Sequence, residues 1–127
     1  MAWFSGLKAN GMNKNELHRN FEMLTRLSYE TNKEIGVCVC GENENNLYLD
    51  DVLTIGSSSH GAILCTCSPI QKLFHTHPIG TAHPSREDIQ SLAKSNLRQG
   101  EYCIGAMENG KPKVKCYNIT KLLKQPI

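Results

Sequence analysis

Two histidines separated by one residue stand in the segment FHTHPIGTAHPSREDI. His75 and His77 belong to IQKLFHTH, which has the composition of a strand and is followed by a proline. Because strand side chains alternate between faces, both imidazoles should point to one side of the strand, and Thr76 with Phe74 to the other. Two imidazoles that converge at the end of a strand are typical of half of a zinc site.

Asp88 follows His77 by eleven residues and can complete a ligand set. The intervening loop can fold back and place Asp88 in the first turn of a helix, where the helix dipole favours a carboxylate. Two histidines and one aspartate leave the fourth tetrahedral position open to water, as in a catalytic zinc site. Zinc lowers the pKa of such a water from about 15.7 toward 7. The pattern therefore predicts one Zn²⁺ per chain, held by His75, His77 and Asp88.

Two other interpretations of these residues remain open. Ser85-x-x-Asp88 after a proline is also a helix-capping box, and the two roles are compatible because a carboxylate has two oxygens. Cys65-x-Cys67 followed by His75-x-His77 could instead form a structural four-ligand zinc site. That alternative leaves Asp88 without a role.

The remaining chemically active side chains carry simpler interpretations. His83 reads as an exposed loop histidine, and Glu87 as an acid that complements the dipole of the second helix. The other cysteines are expected in the core, either in a buried strand or facing each other across a hairpin: Cys38, Cys40, Cys103 and Cys116. His18 and His60 receive no functional role.

The elements that must position these residues are predicted in the order helix, several strands, helix, hairpin. Helices are predicted over 13–31, with Asn13 and Glu16 as a capping box, and over 85–97. Strands are predicted over 34–41, 47–55, 62–67, 70–77, 101–107 and 113–119. The last two should form a hairpin around Asn109-Gly110. We expect an α/β or α+β sheet with helices packed on it.

Composition limits the classes of function. The 127 residues suit one domain, 1–127, and the net charge of +2 argues against a nucleic-acid partner. No segment is apolar enough to cross a bilayer, and the first residues lack the apolar core of a signal peptide. We therefore expect a cytoplasmic protein without a membrane partner, with its six cysteines as reduced thiols.

Glu34, His75-Thr76-His77-Pro78, Ser85 and Asp88 together resemble the JAMM motif of the JAB/MPN metalloprotease family. The spacing from the second histidine to the serine and the aspartate matches the family pattern, and the resemblance covers about residues 14–118. It implies an α/β fold of the MPN/JAB-like, cytidine-deaminase-like kind. In that fold a mixed, curved β-sheet is flanked by a long N-terminal helix and by a second helix after the metal loop.

The resemblance also implies an activity, that of a zinc-dependent isopeptidase or peptidase. Glu34 would be the general base and Ser85 the donor to the oxyanion, beside the zinc ligands His75, His77 and Asp88. Eukaryotic deubiquitinases of the family carry two insertions, whereas the segments between Glu34 and His75 and after Asp88 are compact. A minimal prokaryotic, archaeal or viral type is implied, acting on the C-terminal tail of a ubiquitin-like or sulfur-carrier protein.

Two further hypotheses belong to other functional classes. HTHPIGTAHPSREDI is also similar to the RadC branch of the family, which is associated with DNA repair. Its support here is a set of lysines near the C-terminus: Lys111, Lys113, Lys115, Lys121 and Lys124. Salt-sensitive DNA binding would favour it. The third hypothesis is a non-catalytic interaction module that binds a metal ion without hydrolysing any substrate.

Overall fold

A computed structural model describes residues 10–58 and 61–124, which form a five-stranded mixed sheet and three helices. The elements are, in chain order, α1 (Lys14–Thr31), β1 (Ile35–Cys40), β2 (Tyr48–Ile55), β3 (Ile70–His77), α2 (Arg86–Lys94), β4 (Glu101–Glu108), β5 (Lys111–Asn118) and α3 (Ile119–Leu123). The strand order is β2-β1-β3-β4-β5, in which only β3 and β4 are parallel. The strand that carries the histidines is thus the centre of the sheet, and the predicted α/β class is confirmed.

Helix α1 begins at the predicted capping box. The Asn13 side chain accepts a hydrogen bond from the Glu16 N–H at 2.9 Å, and the Glu16 carboxylate accepts one from the Asn13 N–H at 3.1 Å. The helix ends at Asn32, which adopts a left-handed conformation with φ 55°. Both predicted boundaries of this helix are confirmed.

One face of the sheet is covered by α1. Phe21 of the helix stacks on Phe74 of β3, with ring centroids 4.0 Å apart. The helix also lies directly on β4 at Gly105, where an added Cβ would collide with the Thr25 hydroxyl and approach Phe74 to 3.2 Å. The absence of a side chain at position 105 therefore allows α1 to pack closely against the strand beside β3.

The opposite face carries a second core. It is built from Leu73 of β3, Ile104 of β4 and Leu92 of α2, with α3 packed alongside. Strand β1 contributes to both cores because its side chains alternate: Val37 and Val39 face the α1 side, and its two cysteines face the α2 side. All six residues of β1 are buried, as expected for an interior strand.

Three local predictions differ from the structure. Residues 62–67, predicted as a strand, are irregular, because the Ala62 carbonyl is bonded to the Thr54 hydroxyl and the Thr66 N–H to the Asp50 carboxylate rather than to another strand. Helix α2 ends at Lys94 instead of Leu97. Helix α3 was missed; it replaces the end of the last predicted strand.

The hairpin, the histidine-bearing strand and the start of the helix that carries Asp88 are confirmed. Asn109 and Gly110 have positive φ values of 54° and 77°, which suits a two-residue turn between β4 and β5. Strand β3 ends at His77 and helix α2 starts directly after Ser85.

The cysteines differ from the expectation of reduced thiols. The structure has three disulfides, Cys38–Cys65, Cys40–Cys67 and Cys103–Cys116. The third pair was predicted to face across the hairpin and does so, since the two residues are register partners. The first two join β1 to the irregular segment that sequence patterns predicted as a strand.

Two expectations concern residues outside the described part. The N-terminal segment discussed as a possible signal peptide lies largely in residues 1–9, and His60 lies in the gap at 59–60. Among the described helices, none combines the length and the apolar character that crossing a membrane requires.

Candidate metal and catalytic site

The two histidines lie side by side at the end of the central strand. His75 and His77 share the face of β3 that α2 covers, and their ring centroids are 4.9 Å apart. Thr76, between them, points to the α1 side, where its hydroxyl lies 2.6 Å from that of Ser28. The predicted alternation of faces is confirmed, and the imidazoles are carried by the central strand of the sheet.

Asp88 meets both histidines from α2. Its Oδ1 lies 3.3 Å from His75 Nε2, and its Oδ2 lies 3.1 Å from His77 Nε2. In a zinc site with bonds of 2.0–2.1 Å, neighbouring ligand atoms of the tetrahedron are about 3.3 Å apart. One ligand atom from each of the three residues can be chosen so that all lie within 4.8 Å of one another. The three predicted ligands therefore have the separations that a small cation requires.

The other nitrogen of each ring faces an acceptor. His77 Nδ1 lies 2.7 Å from the Thr81 carbonyl oxygen, and His75 Nδ1 lies 3.3 Å from Oε1 of Glu34. Because a carbonyl and a carboxylate only accept, each Nδ1 carries the hydrogen. In the neutral rings, Nε2 then presents its lone pair toward Asp88, which is the orientation that metal-binding histidines require.

The environment of His75 Nε2 is also best explained by a bound metal ion. It is buried, and among the described residues no group makes a hydrogen bond with it, since Asp88 is close enough for an ion pair but not in hydrogen-bond geometry. A buried polar atom without a partner is costly in a native protein. The residues present therefore fit a bound Zn²⁺, and this atom would be one of its ligands.

The ionisable side chains of the site strongly shift one another's pKa values. Burial lowers the pKa of His75, but the attraction of the neighbouring Asp88 and Glu34 carboxylates outweighs this effect and raises the pKa to about 9. For Asp88, burial raises the pKa, but the close contacts with the His75 and His77 rings outweigh it, so that the pKa lies well below its usual value. Asp88 is thus an ionised carboxylate across the physiological range.

Ser85 and Asp88 form the predicted capping box of α2. The Asp88 N–H donates to Ser85 Oγ at 3.0 Å, and the Ser85 N–H donates to Asp88 Oδ2 at 2.9 Å. The cap uses Ser85 Oγ only as an acceptor, so the hydroxyl hydrogen is not consumed by it. Ser85 lines the cleft above the histidines. The cap and the predicted catalytic role are compatible in this geometry.

Glu34 joins the site through strand pairing. It directly precedes β1, and the antiparallel register of β1 with β3 sets Gly36 opposite His75. The backbone of Glu34 is fixed by two hydrogen bonds, from its N–H to the Ser57 carbonyl at 2.9 Å and from the Gly56 N–H to its own carbonyl at 2.8 Å. A residue forty-one positions before His75 is thereby brought against its imidazole.

All five predicted site residues line one cleft of about 900 Å³. Its walls also include Tyr102, Ser91, Leu92, Gly61, Ile63 and Ile79. The side chain of Ile79 is 76% exposed at the rim. The cleft is bounded on one side by the segment that follows β2.

Tyr102 is a site residue that the sequence patterns did not indicate. Its ring meets His75 edge to face, with centroids 5.4 Å apart and an interplanar angle of 86°. Burial raises the pKa of Tyr102 well above its usual value, and the charges of Asp88 and Glu34 add to this effect. The un-ionised Tyr102 ring therefore packs against the His75 imidazole and supports it. Only the parallel register of β3 with β4 brings it there, and no local motif could have revealed that.

Other candidate residues lie outside this constellation. Cys65 and Cys67 are bonded to the cysteines of β1, so the proposed site of two cysteines and two histidines is not formed. His83 is exposed, as expected, and its ring lies 3.3 Å from the Thr81 hydroxyl. Lys111 and Lys113 are exposed on the edge strand β5. No family model and no curated protein matches the chain.

Proposed function

We propose that this protein is a zinc-dependent peptidase or isopeptidase of the JAMM type, with an MPN/JAB-like fold. The observation that carries the proposal is the convergence of one acid, two histidines, one serine and one aspartate on a single cleft: Glu34, His75, His77, Ser85 and Asp88. This set matches the motif of that family residue by residue. The central mixed sheet with a long helix on one face is compatible with the fold.

The metal ligands in this proposal are His75, His77 and Asp88. When bound, zinc supplies a Lewis acid that polarises a carbonyl oxygen and makes water a nucleophile near neutral pH. The chain's contribution is to orient the two Nε2 atoms through the Thr81 carbonyl and the Glu34 carboxylate. It also provides an ionised aspartate whose second oxygen is anchored to the backbone of Ser85.

Glu34 is the proton carrier. Its carboxylate takes a proton from the attacking water and returns it to the departing amine nitrogen, so that the acid ends the cycle ionised. It is only 12% exposed and touches His75, which keeps it at the reacting end of the cleft. Positioned acid–base groups of this kind contribute about 10²- to 10⁴-fold in rate.

Ser85 stabilises the developing oxyanion. Its oxygen accepts the Asp88 N–H bond, which leaves the hydroxyl hydrogen to be donated into the cleft. An oxyanion donor is typically worth about 10²- to 10³-fold in rate. The donor is well placed for this role because the capping box fixes its oxygen at the start of α2.

The proposed substrate is the C-terminal tail of a ubiquitin-like or sulfur-carrier protein. This class is implied by the resemblance to the JAMM family. The open cleft with the exposed Ile79 at its rim is compatible with an extended, partly apolar tail. The proposed compartment is the cytoplasm, where the six cysteines would be thiols, so the disulfide form is a different chemical state of the chain.

The proposal is tested by incubating the full chain with ubiquitin-like and sulfur-carrier proteins that carry short C-terminal extensions. Intact mass of the products should show loss of the extension, cut after the terminal glycine of the carrier. A metal chelator should stop the cleavage and added Zn²⁺ should restore it. Cleavage that continues at the same rate after the ion has been removed, as checked by metal analysis, would contradict a zinc mechanism.

A further inference from the structure

Four cysteines form a second cluster outside the cleft. Cys38 and Cys40 lie on one face of β1, and Cys65 and Cys67 stand in the irregular segment beside it. Both facing pairs are separated by 27 residues, with Cα–Cα distances of 5.4 Å and 6.1 Å. Two Cys-x-Cys motifs therefore run side by side.

Three of the four sulfurs already lie in one close group, and the fourth is attached to it. Those of Cys38, Cys40 and Cys67 all lie within 4.8 Å of one another, and that of Cys65 is bonded to Cys38. The sulfurs of a tetrahedral four-cysteine zinc site, with Zn–S bonds near 2.3 Å, are separated by about 3.8 Å. Opening the Cys38–Cys65 disulfide would free the exposed Cys65 side chain to turn toward the other three sulfurs and complete a zinc tetrahedron.

We propose that Cys38, Cys40, Cys65 and Cys67, once reduced, bind one Zn²⁺ in a closed, structural four-thiolate site. This site is distinct from the site of His75, His77 and Asp88, which leaves a coordination position open. The inference does not rest on the proposed peptidase activity, because it uses none of the cleft residues.

The surroundings of the cluster suit a structural ion. Cys38 and Cys40 are completely buried, and partly buried apolar side chains, among them Ile63 and Tyr48, pack around them. The segment 61–67 has no regular secondary structure, so it cannot rely on a strand ladder to stay in place. Its other anchors are side-chain bonds, such as those from Thr66 to Asp50. A metal ion that replaces two covalent bonds would keep the same segment fixed.

The cluster anchors one wall of the cleft. A Cβ added to Gly61 would come within 3.1 Å of the Glu34 Cβ, and one added to Gly36 would come within 2.7 Å of the Ala62 carbonyl. The segment that carries Cys65 and Cys67 therefore packs against Glu34 and the strand start. Zinc in the four-cysteine site would keep this wall in place under conditions in which the disulfides are open.

The chemistry of the conversion balances with a phosphine as reductant. Each disulfide accepts two electrons from one phosphine, whose phosphorus takes an oxygen atom from water, and two thiols form. The four thiols then release up to four protons as they bind the ion as thiolates. No further oxidant or reductant is needed.

The test uses the full chain with His75→Ala and His77→Ala together, so that zinc in the cleft does not contribute. The protein is reduced with a phosphine without oxygen, exposed to Zn²⁺, freed of unbound ion and analysed for metal. We expect about one zinc per chain, and after exchange with Co²⁺ an intense thiolate-to-cobalt charge-transfer absorption. Adding Cys65→Ser, at an exposed position, should reduce the bound zinc several-fold.

The matched control is Cys116→Ser, which removes an exposed cysteine of the third disulfide and of the separate group of Glu101, Cys103 and Cys116. It should leave the zinc content unchanged, and loss of the zinc in this variant would place the ion in that group and overturn the inference. The inference is overturned if the reduced double-histidine variant binds no zinc. It is equally overturned if Cys65→Ser and Cys67→Ser each retain the full amount. Either failure leaves the cleft untouched, so it is distinguishable from failure of the proposed peptidase function.

Discussion

Thr76 Oγ1 accepts a hydrogen bond from the Ile35 N–H at 2.9 Å, and this bond joins the histidine strand to the residue that follows Glu34. The same hydroxyl donates to Ser28 Oγ at 2.6 Å, and Ser28 in turn donates to the Lys33 carbonyl at 2.7 Å. Of these residues, Ile35, Thr76 and Ser28 are buried. The proposed general base, Glu34, and the strand that carries the proposed metal ligands are therefore linked through a hydrogen-bond chain on the far side of the sheet.

Replacing Thr76 with valine should destabilise the protein without removing a ligand. The variant leaves the buried Ile35 N–H without its acceptor, which should lower the free energy of unfolding by about 1–3 kcal/mol. Urea unfolding of the metal-free protein measures this change. Thr31→Val is the control, because its exposed hydroxyl is bonded only to the Leu27 carbonyl within α1. Equal stability of Thr76→Val and wild type would show that the chain is not a structural link.

His75→Ala and His77→Ala should each remove one equivalent of zinc from the non-reduced protein. Each variant leaves only two of the three ligands, which is too few for a stable site. Metal analysis after removal of unbound ion measures the loss. His83→Ala, in the exposed loop between the ligands, should keep the full amount. Retention of the zinc by both ligand variants would disprove the assignment.

Glu34→Gln should retain the zinc and lose turnover. The amide keeps the shape of the side chain but cannot take a proton, so kcat should fall by about 10²- to 10⁴-fold. Metal analysis and cleavage kinetics on one preparation measure both properties. Glu87→Gln, an exposed acid at the same cleft, should change neither. A wild-type rate for Glu34→Gln would exclude the general-base role.

Ser85→Ala should affect rate and stability by different amounts. Loss of the oxyanion donor should reduce kcat by about 10²- to 10³-fold, and loss of the cap should cost about 1 kcal/mol of stability. Asn13→Ala removes the equivalent cap of α1, so it should cost similar stability while leaving kcat unchanged. If the two variants behave alike in both measurements, Ser85 is only a helix cap.

Zinc affinity should rise with pH up to about pH 9. The pKa of His75 in the metal-free protein is raised to about 9, so below that pH zinc must displace a proton from the ring. The apparent association constant should therefore increase about tenfold per pH unit between pH 7 and 9 and then level off. Glu34→Gln, which removes a group that raises this pKa, should move the plateau to lower pH. A pH-independent affinity across this range would contradict the coupling.

The same raised pKa gives stability a defined pH dependence. Because the folded-state pKa of His75 exceeds its ordinary value of 6.5, its contribution to the stability of the metal-free protein is complete below pH 6.5. It is lost as the pH rises toward 9. Urea unfolding at pH 6 and pH 9, compared with His75→Ala at both values, measures the difference.

Local sequence patterns predicted those parts of the site that one element supplies. The pair of histidines on a strand and the capping box of α2 are each encoded within a few residues, so their geometry was predictable. Glu34 reaches His75 only through the pairing of β1 with β3, and Tyr102 only through the parallel register with β4. The position of Glu34 could be anticipated from the family resemblance alone.

The misassigned segment 62–67 has a different cause. Its apolar residues look like a strand, but its backbone groups bond to side chains of β2, and its cysteines pair with β1. Single-sequence patterns cannot distinguish an apolar segment that pairs with a strand through backbone hydrogen bonds from one that is held by side-chain hydrogen bonds and disulfides. The same limitation led to the expectation of free thiols. That expectation was drawn from the assumed compartment, because the sequence does not show which cysteines lie close together in the fold.

The central place of β3 sets the order in which the site can form as the chain leaves the ribosome. Strand β3 takes one neighbour from earlier in the chain and the other, β4, from after α2. Leu92 of α2 packs in one core with Tyr102 and Ile104 of β4, so the helix that carries Asp88 has no complete surface to dock on until Glu101–Glu108 has been synthesised. The proposed metal site is therefore completed only after β4 has been made, and a nascent chain shorter than about 108 residues would present the two histidines without the Asp88 carboxylate docked beside them.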